Sequence, residues 1–265
     1  MKNKFWLAFI CFIASYIIYI FSQQVLQLIF DIYFSIIISQ LFFFLLPILF
    51  VSYSLSFNFR SIFRINRLNN FSLYIYTFIL FCSLFLFIHS LIFIQLTFLP
   101  QSFKILVQEY SKNTEYILRD LAKDSLPWAL LSLAFVPAIV EELIFRGFLQ
   151  KIFEHRYGAH LGIIYTSLIF ALLHFNLLNL IPLFLLSLVI GKIALYTNSI
   201  FPGIIIHFLV NTTTIISKSF YSGFLDAEQD YQFSLEILLL FIFSLFVTMI
   251  IVHTFKRNYN YKVNY

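Results

Sequence analysis

The chain has 265 residues, of which 61% are hydrophobic, 21% aromatic and 11% charged, with a formal net charge of +5. Soluble domains carry roughly a quarter charged residues, so the composition excludes an ordinary water-soluble fold and places the chain in a bilayer. The positive balance does not require nucleic acid once the basic residues are placed along the chain.

A helix needs about 20 apolar residues to cross a ~30 Å hydrocarbon core. Eight apolar runs are candidates: 5–21, 32–55, 71–99, 126–149, 161–180, 182–196, 201–216 and 235–254, the sixth and seventh being short. The first follows Met1-Lys2-Asn3-Lys4 and resembles a signal peptide, but no small-residue cleavage site follows, so it reads as an uncleaved helix. The loop 58–70 is basic and polar. Residues 101–125 form the longest polar stretch, in which Ile105, Leu106, Tyr110, Ile117, Leu118 and Leu121 suggest a connector helix on the outer surface. The tail KRNYNYKVNY has the basic and tyrosine composition of an interface anchor. Cys11 and Cys82 fall inside predicted spans, so no structural disulfide is expected. The alternating ten-residue strands of an outer-membrane barrel are not seen. The fold class is therefore all-α, a polytopic transmembrane helical bundle of about eight helices, seven if the short spans do not each cross.

With the N-terminus in the cytoplasm, Lys2, Lys4, Arg60, Arg64, Arg67, Lys151, Arg156, Lys256, Arg257 and Lys262 fall inside. Lys104, Lys112, Arg119, Lys123 and Lys218 fall outside, where Glu109, Glu115, Asp120, Asp124, Asp226, Glu228 and Asp230 offset them. The asymmetry predicts N-in and C-in, and anionic lipid accounts for the positive inner side.

Ionisable groups at membrane depth cost at least ~2.5–3.5 kcal/mol each on insertion scales, so they face partners or a wet cavity. In PAIVEELIFRGFLQ, Glu142 and Arg146 are four apart, share a helix face and can neutralise each other. Glu141 is turned ~100° away and is left as an unpaired carboxylate. His174 lies in the next predicted span, one turn beyond Phe170, and His207 and Asn211 share a face of the seventh. A carboxylate, two imidazoles and an amide on separate helices form a set suited to activating water and holding an oxyanion.

EELIFR (Glu141 to Arg146), FALLH (Phe170 to His174) and HFLVN (His207 to Asn211) resemble the motifs EExxxR, FxxxH and HxxxN of the CPBP family. These are the CAAX-protease and bacteriocin-processing intramembrane proteases, or Abi family, related to the type II CAAX prenyl endopeptidases. The resemblance divides the chain into N-terminal helices with their connector helix (1–126), a catalytic helix core (127–217), and a last transmembrane helix with a basic cytoplasmic tail (218–265). It implies endoproteolysis of membrane-associated peptides or proteins. Glu141 would be the general base aided by His174, His207 and Asn211 would hold the oxyanion, and Glu142, Arg146 and Phe170 would support them. A prenylated substrate is not carried over, because prenylated proteins are largely eukaryotic. The abundance of Phe, Ile, Asn and Lys with little Ala and Gly hints at an AT-rich bacterial genome, and so at a bacterial plasma membrane.

No cofactor is assumed. Glu141, His174 and His207 could hold zinc with an open position for water, but the chain has no HExxH and the same residues also serve as a metal-free carboxylate–histidine pair. Two other readings stand beside protease. One is a non-catalytic scaffold or sensor of the same fold, as in bacteriocin self-immunity. The other is a proton-coupled carrier, disfavoured because the polar motifs cluster in one half of the chain. Substrate, cleavage site and oligomeric state are not legible in the sequence.

Overall fold

The computed structural model describes residues 2–68, 70–220 and 234–259. Asp226, Glu228, Asp230, Lys262 and most of the tyrosine-rich tail lie outside the described residues. All regular structure among those described is helical. The helices, in order, are α1 Lys2–Leu26, α2 Ile32–Ser54, α3 Phe59–Ile62, α4 Ser72–Phe98, α5 Gln101–Tyr157, α6 Ala159–Leu172, α7 Leu180–Thr197, α8 Phe201–Phe220 and α9 Leu235–Asn258.

Each of the eight expected apolar segments is helical, but their lengths differ from expectation. By length and composition α1, α2, α4, α5, α7 and α9 are long and apolar enough to cross a membrane. The short member is α6, with 14 residues, whereas α7 and α8 have 18 and 20. The run expected over 161–180 stops at Leu172 because polar side chains intervene where hydropathy alone sees continuity. Asn176 Oδ1 accepts the Asn179 N–H at 3.1 Å, a side-chain turn that competes with helix, and Phe175 has φ +49°. His174 therefore sits in the turn after α6, not within a span. α8 is long but carries His207, Asn211, Thr212, Thr213 and Thr214, and it is not among the six spanning candidates.

Helix α5 is two helices in series. Ser125 interrupts it with φ −161° and ψ 98°. Serine suits a helix-start position with extended backbone, and Pro127 two residues later is tolerated in the first turn, so the polar connector ends where the apolar span begins. Its last turns are tied down: Tyr33 Oη donates to the Leu121 carbonyl at 2.6 Å and Ser219 Oγ to that of Leu118 at 3.2 Å.

Three stretches wind as π-helix, and two of them, Ser39–Leu45 and Leu131–Phe135, each run into a proline, Pro47 and Pro137. A helical proline lacks an N–H and its ring crowds the carbonyl four residues back; widening to i→i+5 bonds in the preceding turn relieves both. The third π stretch, Glu142–Leu149, has no proline.

One core joins Phe5 and Phe12 of α1, Phe44 and Ile48 of α2, Phe63, and Ile144, Phe145 and Phe148 of α5. A second joins Leu80 and Leu84 of α4, Ile190 and Ile193 of α7, Ile206 of α8 and Ile251 of α9. Gly147 allows α5 to rest on the end of α3: a Cβ there would stand 2.9 Å from the Phe63 Cα. Large apolar side chains such as Trp6, Phe21, Phe50, Phe98, Phe243 and Phe246 are exposed. Water would penalise that surface and lipid accepts it, so the chain is a multi-pass membrane protein.

Candidate active site

The buried centre is Glu142. It opens the third π stretch, and its carboxylate is fully buried against an almost fully buried Arg146, with Nη1 3.1 Å from Oε1. The same Oε1 lies 3.2 Å from His207 Nδ1. A carboxylate can only accept there, so Nδ1 carries a proton and donates. That fixes the ring and turns Nε2 towards Glu141, whose Oε2 lies 3.9 Å away. This distance is outside direct hydrogen bonding and within reach of an ionic contact or a bridging water. Glu141 thus has no arginine partner, as its position on the helix suggests, and its side chain keeps 19% exposure where Glu142 has none.

Helix α8 approaches this centre through a glycine. A Cβ on Gly203 would stand 2.5 Å from Glu142 Oε2 and 2.9 Å from Ile190 Cγ2. The carboxylate therefore rests against the first turn of α8, where the helix dipole favours negative charge. Gly203→Ala must push α8 or Glu142 aside. We expect it to lower stability by about 1–3 kcal/mol, read as a lower unfolding midpoint of the purified chain, with activity falling alongside.

Asn211, one turn beyond His207, donates through Nδ2 to the Leu133 carbonyl at 3.4 Å. That carbonyl lies in the π turn before Pro137 and orients the asparagine. The second amide hydrogen of Asn211 remains for another oxygen.

Phe170 joins the histidines and the arginine. The Arg146 guanidinium carbon lies 4.4 Å from its ring centroid, the His174 ring 4.5 Å, the Phe145 ring 5.0 Å and the His207 ring 6.0 Å. Cation–π attraction suits a phenyl beside a desolvated guanidinium. His174 Nδ1 bonds the Phe170 carbonyl at 2.7 Å, so it too donates through Nδ1 and keeps Nε2 as its basic nitrogen. His174 is exposed, unlike His207.

Glu141, His174 and His207 are not gathered as metal ligands: among the described residues no three His, Cys, Asp or Glu side chains converge in that way. With Nδ1 of His207 and of His174 each bonded to an oxygen acceptor, both imidazoles keep Nε2 for other chemistry.

Several residues of the site carry no signal in the three motifs. Arg64, in the basic loop, is buried with φ +50°. It donates to the Arg146 carbonyl at 3.2 Å and pairs with Glu154. Gln150 then links Glu154 Oε1 (2.8 Å) to the Gly191 carbonyl (3.0 Å). From α1, Tyr16 gives its hydroxyl to the Leu173 carbonyl at 2.7 Å, beside His174, with its ring against Tyr19 and Phe44. A charge in a loop and tyrosines in an apolar helix look like interface residues until tertiary contacts are known.

Residues 123–213 match the family of Rce1-like type II CAAX prenyl endopeptidases, a segment that contains all three motifs. No curated protein and no solved structure matches the chain.

Proposed function

We propose that this chain, Rce1-like across residues 123–213, is an intramembrane endopeptidase that hydrolyses peptide bonds of membrane-associated peptides or proteins with a glutamate-activated water. The observation that carries the reading is the division of labour between adjacent carboxylates: Glu142 is buried and paired with Arg146 and His207, while Glu141 faces His207 Nε2 at 3.9 Å with no cation of its own.

In this mechanism the Glu141 carboxylate takes a proton from water as the oxygen adds to the scissile carbonyl carbon. His174, through Nε2, assists that transfer. The oxyanion of the tetrahedral intermediate is held by the free Asn211 amide hydrogen, with the His207 ring beside it. Collapse breaks the C–N bond, and Glu141 returns its proton to the leaving amine. No step is routed through a metal. Glu142, Arg146 and Phe170 hold His207 and touch no reacting atom. We further propose N-in/C-in topology in a bacterial plasma membrane, with the site opening to the cytoplasm.

The test compares membrane-peptide termini in cells with and without the chain. New C-terminal ends that require the chain, and that still form in chelator-treated membranes, support the reading. Identical termini in both cells remove the protease assignment. Loss of the ends on chelation, with rescue by zinc, replaces the metal-free mechanism.

A further inference from the structure

We propose that Tyr16, in a helix outside the Rce1-like segment, is a positioning residue for His174: its hydroxyl holds the Leu173 carbonyl, and so the turn from which His174 enters the site. The proposal rests on the endopeptidase reading above, in which His174 assists the base.

The last carbonyls of a helix have no partner further along it and must find one elsewhere. At the end of α6 each finds one. Leu173 N–H bonds the Ile169 carbonyl at 3.0 Å, and the His174 ring bonds that of Phe170 at 2.7 Å. His174 N–H bonds the Ala171 carbonyl at 3.3 Å, and Phe175 N–H that of Leu172 at 3.1 Å. All four donors come from the turn itself, so none of them fixes the turn to the rest of the bundle. The fifth does. The Leu173 carbonyl accepts Tyr16 Oη at 2.7 Å across 157 residues of sequence.

The turn needs such a tether. Phe175 has φ +49°, a left-handed conformation unfavourable for a bulky side chain and maintained only where the surroundings over-determine it. His174 lies between that strained residue and the tethered carbonyl. Tyr16 is itself well held: its ring lies 5.7 Å from Phe44 and 6.0 Å from Tyr19, edge-on and tilted. A phenyl ring makes the same contacts. Removing only the hydroxyl therefore deletes the tether and leaves the packing.

The experiment uses the full chain in lipid nanodiscs, wild type and Tyr16→Phe, with a synthetic peptide spanning the cleaved sequence recovered from cells. The expected result has three parts. Amide exchange in the 170–176 segment accelerates while exchange around His207 does not change. The unfolding midpoint is close to that of wild type. Finally kcat falls on the order of tenfold to a hundredfold with KM little altered, the penalty of a misplaced catalytic group. Unchanged exchange in 170–176 overturns the tether. Faster exchange with unchanged kcat makes Tyr16 structural only and overturns the positioning role. If wild-type cells yield no cleaved sequence, the endopeptidase reading itself fails, and the positioning role fails with it.

Discussion

We expect Glu141→Gln to leave the fold intact and to abolish the proposed peptide hydrolysis. The substitution keeps shape and volume, and the carboxylate it removes has no salt bridge to an arginine; its nearest basic nitrogen is His207 Nε2 at 3.9 Å. Little native interaction is lost, so stability stays within about 0.5 kcal/mol, as for changes away from packed or paired features. The amide cannot take a proton from water, and loss of general-base assistance alone is worth on the order of 10²–10⁴ in rate. The measurement is the yield of chain-dependent C-terminal ends in membrane peptides, beside the unfolding midpoint of purified protein. Unchanged ends in Glu141→Gln exclude water activation by this carboxylate. If Glu141→Gln also matches wild type in physiology while deletion of the chain does not, the scaffold reading takes over.

That prediction was accessible from sequence in outline because it depends on local geometry. Residues four apart on a helix meet, so Glu142 and Arg146 could be paired and Glu141 set apart by counting alone. The segments followed from hydropathy for a similar reason: lipid exposure acts on each run independently of its neighbours. Other features depend on tertiary contact and left no local trace. Glu142 was legible as a partner of Arg146 but not as the acceptor of His207, which comes from 65 residues away. Arg64 reads as one more cytoplasmic cation, yet it is buried on the Arg146 carbonyl. The end of α6 was missed because an apolar average conceals Asn176 and the left-handed Phe175, and with it the position of His174. The π winding near Pro137 could have been suspected from the proline, but its use, presenting the Leu133 carbonyl to Asn211, could not. Tyr16 lies in a helix that sequence reads only as an uncleaved apolar span.

Arg146→Leu should be the most destabilising single change in the site. It removes the cation while leaving Glu142 fully buried, and breaking a buried pair from one side costs about 3–5 kcal/mol because the remaining charge is uncompensated. The leucine also forfeits the guanidinium's contact with the Phe170 ring. Adding Glu142→Leu relieves the stranded charge, so on that term alone the double variant should recover stability. Recovery must be incomplete here, since Glu142 also accepts His207 Nδ1 at 3.2 Å, and the double variant orphans that buried donor. The two variants, with Glu142→Leu alone, form a cycle whose coupling term measures the ion pair separately from the histidine contact. Denaturation midpoints in a common detergent supply the four free energies. Strong coupling between the two positions, with the double variant folded but inactive, is the expected result. Additive effects would mean that Glu142 is held chiefly by His207 and the first turn of α8, with Arg146 serving the Phe170 face.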